Sequence, residues 1–121
     1  MKKLSALLMF AIVIMLSGCG GNENFKDLFP DLNDKAYADI AEDGSYMKID
    51  TNPNKIKGAM DPEAVTEIEV IHEKLGFPKS LEQKMRSTRA LDGKQTDEND
   101  NYKVNWSYHP NRGLEVLYEL K

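Results

Sequence analysis

Tyr102-Lys103-Val104-Asn105-Trp106-Ser107-Tyr108 is followed by the turn-rich His109-Pro110-Asn111-Arg112-Gly113 and then by Leu114-Glu115-Val116-Leu117-Tyr118-Glu119-Leu120. Side chains alternate across a pleated strand, so Tyr102, Val104, Trp106 and Tyr108 share one face and Lys103, Asn105 and Ser107 the other. In the second run Leu114, Val116, Tyr118 and Leu120 alternate with Glu115, Leu117 and Glu119. Two amphipathic strands joined by five turn residues predict an antiparallel hairpin at the C-terminal end of the chain.

Upstream, Arg89 to Gln95 is the candidate third strand, although Gly93 favours a bulge or turn inside it. Ser45-Tyr46-Met47-Lys48-Ile49-Asp50 alternates in the same way and ends at Thr51-Asn52-Pro53-Asn54, where proline removes a donor and asparagine favours a turn. Between these segments Asp61-Pro62-Glu63 provides an acceptor at the N-cap, proline at the first helical position and an acid in the first turn. Val65, Ile68, Ile71 and Leu75 follow at helical spacing, and Gly76 suits a left-handed C-cap, so Pro62 to Leu75 is predicted as a helix. A shorter helix is expected from Ser80, with Gln83 as capping-box partner and Leu81 and Met85 turned to the core. The fold class is therefore α+β: a small antiparallel sheet with a C-terminal hairpin, packed against one or two helices.

The other end of the chain has a different character. Lys2 and Lys3 precede an uncharged apolar run from Leu4 to Leu16, and Ser17-Gly18 supply small residues before Cys19, the single cysteine among 121 residues. A thirteen-residue helix rises about 20 Å, short of a hydrocarbon core of roughly 30 Å, which suits a signal peptide better than a permanent span. Leu16-Ser17-Gly18-Cys19 resembles the lipobox of a bacterial lipoprotein. The resemblance implies that Cys19 receives a diacylglycerol, that cleavage falls before it, and that the mature protein sits on the extracytoplasmic side of the cell membrane. Acylation of the new amino terminus is a further common feature of such proteins. The diacylglycerol thioether at Cys19 would also dispose of a lone thiol that an oxidising compartment would otherwise attack.

On that basis residues 1–18 are a signal peptide, 19–35 a lipidated N-terminus with a flexible tether or strap, and 36–121 a single small α+β domain. Gly20 to Asn24 has spacer composition. Phe25, Leu28, Phe29 and Leu32 either strap the domain edge or form an exposed apolar motif that recruits a partner near the membrane. Removing Lys2 and Lys3 leaves 14 basic against 20 acidic residues, a net charge of −6. A negative domain has no electrostatic attraction to an anionic bilayer and lacks the basic footprint of nucleic-acid binding, so membrane contact falls to the lipid on Cys19.

Candidate chemistry is sparse. Imidazole is limited to His72 and His109. His72 follows Glu69 by three residues, but the second Glu-x-x-His pair of a carboxylate-bridged metal site is missing, and Gly76 stands where a zinc-protease helix needs its second histidine. His72 is accordingly expected at the surface or its boundary, and His109 exposed in the hairpin turn. No nucleophile elbow or phosphate-cradling glycine loop is present, and no cofactor is implied. An anion site is conceivable at Arg86 and Arg89, which share a face if both are helical. The acidic run Asp97 to Asp100 offers oxygen atoms to a cation, without the glycine and glutamate that complete an EF-hand. Trp106 with Tyr102, Tyr108 and Tyr118 makes either a stacking platform or a core layer, the core being favoured by the valines and leucines on the same face. The expectation is a non-enzymatic binding or interaction lipoprotein with a possible envelope-protein partner, the alternative being a small-ligand or ion-binding module.

Overall fold

The alternation in residues 102–120 produces two eight-residue strands, paired so that Val104 faces Tyr118, Trp106 faces Val116 and Tyr108 faces Leu114. A computed structural model describes residues 24–121. The signal-peptide, lipobox and Cys19 expectations lie outside the described residues. Along the chain come α1 (Phe25–Leu28), a 3₁₀ turn (Pro30–Asp34), β1 (Ala38–Ile40), β2 (Tyr46–Asp50), α2 (Pro62–Leu75) and α3 (Ser80–Arg86). A second 3₁₀ turn (Ala90–Asp92), β3 (Gln95–Glu98), β4 (Tyr102–His109) and β5 (Gly113–Leu120) complete it.

The described strands form one antiparallel sheet of five in the order β1-β2-β5-β4-β3. Its inner face carries Met47, Ile49, Val104, Trp106, Val116 and Tyr118, all in the core cluster. Against it α2 turns Ala64, Ile68, Ile71 and Leu75, and α3 turns Leu81 and Met85. The opposite face, with Tyr46, Lys48, Lys103, Leu117 and Glu119, carries no helix among the described residues. The arrangement is the α+β class expected, with a C-terminal hairpin packed against helices.

Helix α2 has the predicted bounds and the predicted caps. The Asp61 side chain accepts from the Glu63 N–H at 2.9 Å, and Gly76 takes φ +84°, a left-handed conformation that a Cβ would disfavour. Helix α3 starts at Ser80, but no side chain caps it, so Ser80 is its first helical residue rather than the cap of a capping box. The candidate third strand is displaced. Residues 90–92 make a 3₁₀ turn, and β3 begins only at Gln95, because its pairing partner is β4 and Gly93 turns the chain just before it.

Of the two readings of Phe25, Leu28, Phe29 and Leu32, the packing matches the strap, and it reaches the core rather than the domain edge. Phe25 is 0 % exposed, Phe29 and Leu32 are buried beside it, and all three belong to the central core. Phe25 packs its ring 5.8 Å from that of Tyr102, and its N–H donates to the Gly44 carbonyl at 2.9 Å. Burial of such side chains stabilises by roughly 1.5–3 kcal/mol each, so residues 25–35 pack as part of the same core as residues 36–121.

Candidate functional site

His72 sits on the face of α2 that carries Ile68, Ile71 and Leu75, and the packing that buries them takes it inside as well. The surface expectation for His72 is thus overturned: the residue is fully buried. Burial is tolerated because both ring nitrogens find partners. Nε2 lies 2.7 Å from the Tyr118 hydroxyl on β5, and Nδ1 lies 3.2 Å from Glu82 Oε1 on α3. Burial pushes the imidazole down to about 4 and the Tyr118 phenol well above its ordinary value. A neutral ring beside a protonated phenol fixes the proton order: the Tyr118 O–H donates to Nε2, and Nδ1–H donates to Glu82. Burial, then the neighbouring Glu69 carboxylate, push the Glu82 carboxyl upward.

This chain joins sheet, α2 and α3 through three side chains. Only Glu82 reaches solvent, its side chain 17 % exposed, while Tyr118 and His72 are enclosed by core residues. A nucleophile or base must touch substrate. Closed off in this way, Tyr118 and His72 can hold the helices on the sheet but cannot attack or deprotonate a bound molecule.

The residues singled out from the sequence are dispersed. Arg86, at the end of α3, reaches across to Glu69 of α2 and pairs with it. Arg89 lies beyond the helix with φ −111° and ψ 162°, so the two arginines do not share a helical face, and Arg89 pairs instead with Asp92 at 3.5 Å. Trp106 is 3 % exposed and its indole N–H donates to Thr88 Oγ1 at 2.8 Å, which leaves the ring no free face for stacking a ligand. In the acidic run, Asp97 pairs with Lys84 at 3.1 Å, and the Asn99 side chain serves backbone: its Oδ1 accepts from Asn101 and Tyr102, and its Nδ2 donates to the Leu75 carbonyl. Among the described residues no group of three or more His, Cys, Asp or Glu side chains could hold a metal ion, so the Asp97 to Asp100 cation site is not assembled. His109 is exposed, its Nδ1 accepting from the Asn111 N–H within the turn.

A different group of side chains is brought together at the end of the sheet where β2 leaves and β5 begins. Asn52, buried, uses Oδ1 to accept from the Ile56 N–H at 2.9 Å and Nδ2 to donate to the carbonyls of Ile56 at 2.7 Å and Asn111 at 3.1 Å. One side chain thereby ties the 52–58 loop to the β4–β5 turn. The loop is held tightly enough that Lys55 takes φ +56°, the sole non-glycine residue with positive φ among those described. A groove of about 540 Å³ results, with Lys48, Lys55, Lys57 and Arg112 along it. Sequence reasoning missed this site. Its only linear trace is Lys55-Ile56-Lys57 in a stretch that has no acid between Asp50 and Asp61.

No family model, no curated protein and no solved structure matches this chain.

Proposed function

We propose that the chain is a bacterial lipoprotein, anchored to the extracytoplasmic side of the cell membrane through lipid on Cys19, whose domain acts as a non-enzymatic binding or interaction module. The observation that carries this reading is in the sequence: Lys2 and Lys3, the apolar run Leu4 to Leu16, and Leu16-Ser17-Gly18-Cys19 with the chain's single cysteine. Two acyl chains suffice for stable anchoring without help from the domain. No helix among the described residues is long and apolar enough to cross a membrane.

A binding role is favoured over the alternative ion or anion module at its original positions, because Arg86, Arg89 and Asp97 are each engaged by an opposite charge. The surface available to an envelope protein is the helix-free face of the sheet around Tyr46, Lys103 and Leu117. Intact-mass analysis of membrane-extracted protein tests the anchor: loss of residues 1–18 with a lipid adduct on Cys19 is expected. A soluble wild-type chain with a free Cys19 thiol would overturn it. For the binding role, crosslinking in intact cells should capture a defined partner through Tyr46 or Lys103 positions and not through positions on α2.

A further inference from the structure

Lys55, Lys57 and Arg112 have no ion-pair partner among the described residues, a property they share with Lys26, Lys74, Lys79, Lys94 and Lys103, but these three line one groove together with Lys48. The ion pairs of the described residues engage Lys35, Lys84, Arg86, Arg89 and Lys121, while Lys48 stands 3.9 Å from Glu115 at the groove's edge. Asp50 and Glu115 are the carboxylates along the groove, so four cations there face two acids. The groove therefore carries an excess of two positive charges in a domain of net negative charge, a local potential that favours an anion there.

Their positions are also built rather than incidental. Buried Asn52 spends its whole amide on holding the loop that carries Lys55 and Lys57 against the turn that carries Arg112. The backbone strain at Lys55 is the kind retained where surrounding structure over-determines a residue, often at a ligand site. Glycine would occupy that conformation without penalty; lysine is there instead.

We propose that this groove binds an oligophosphate, a soluble or polymer-borne chain of phosphate groups, with Lys55 and Lys57 as point charges and the Arg112 guanidinium donating in pairs to phosphate oxygens. Four cations less the two groove carboxylates leave an excess of two positive charges for an anion, and 540 Å³ exceeds the needs of a single phosphate. A bilayer presents its charges in a plane and cannot follow them into a groove. The polarity of the molecule agrees. At the far end of the sheet the β1–β2 turn carries Glu42 and Asp43 and the β3–β4 loop Asp100, with Glu98 at the end of β3 paired to Lys121. At about 3.3 Å per residue along β5, those acids lie roughly 23 Å from the groove. The proposal goes beyond the lipoprotein reading, since it needs neither the lipid nor a protein partner.

The test is titration of the full-length chain, purified in nonionic detergent, with sodium tripolyphosphate by calorimetry, alongside sedimentation with phosphatidylglycerol and phosphatidylcholine vesicles. Saturable binding is expected, weakened by raising ionic strength from about 0.05 M to about 0.3 M. Lys55→Gly and Arg112→Gln should each weaken it about fivefold, close to 1 kcal/mol. Lys55→Gly separates binding from folding, because relief of the left-handed strain raises its melting temperature while affinity falls. Absence of tripolyphosphate binding at about millimolar concentration, affinity indifferent to both substitutions, or binding to phosphatidylglycerol vesicles alone would overturn the proposal.

Discussion

Lowering the pH from 7 toward 4 loads a proton onto His72 in the unfolded chain well before it can do so in the folded one. The imidazole ordinarily titrates at 6.5, whereas burial holds it at about 4 in the fold. Between those values the unfolded state binds more protons, so stability falls as the pH falls. Lowering the imidazole from 6.5 to about 4 amounts to about 3.5 kcal/mol at about 1.4 kcal/mol per pH unit, a large part of the roughly 5–15 kcal/mol that holds a domain together. Glu82 acts with the opposite sign. Its carboxyl is raised by burial, so the folded state takes up that proton more readily and regains some stability as the pH drops. Carboxyls held below their usual range, such as Glu63 through its hydrogen bond from Lys35, lose their contribution only at lower pH. Urea unfolding followed by Trp106 fluorescence at stepped pH should therefore show a loss of about 2 kcal/mol between pH 7 and about 4.5. His72→Gln should be less stable at pH 7 and nearly flat across the same window. Equal pH slopes in the two proteins, or an NMR titration of the His72 ring centred near 6.5, would refute the linkage.

Asn52→Ala deletes three side-chain hydrogen bonds and strands backbone groups of Ile56 and Asn111; a loss of about 2 kcal/mol is expected in thermal unfolding, with tripolyphosphate affinity lost in parallel. Phe25→Ala should cost about 3–5 kcal/mol by urea unfolding, and a loss below about 1 kcal/mol would return the segment to the status of a loose strap. Gly44→Ala places a Cβ 2.5 Å from the Asn24 side chain at φ +73°, so its melting temperature should fall and proteolysis near Asn24 should quicken. Acrylamide should leave Trp106 fluorescence almost unquenched in the native state, and efficient quenching would contradict its burial.

Helix α2 was legible because its signals are local: an acceptor, a proline and an acid at one end, a glycine at the other, and apolar residues at helical spacing between. The C-terminal hairpin was legible for the same reason, its alternation being complete within nineteen residues. β1 is three residues long and β3 reads Gln-Thr-Asp-Glu, with no apolar face, so both are strands only because a neighbour pairs them. The His72 environment depends on Tyr118, 46 residues away, and no helical pattern could announce it. The groove is less legible still, since Lys48, Asn52 and Arg112 meet only after the sheet closes.

The last strand in sequence is the middle strand in space. β5 pairs with β2 on one side and β4 on the other, so without it the sheet falls into two ribbons, β1-β2 and β3-β4. A two-stranded ribbon is at best marginal in water. Nucleation that must await residues 113–120 gives the chain a high contact order and a slow, late collapse. If the chain is exported as proposed, an N-to-C passage would present no stable five-stranded sheet to a secretion channel until β5 has followed the other described strands.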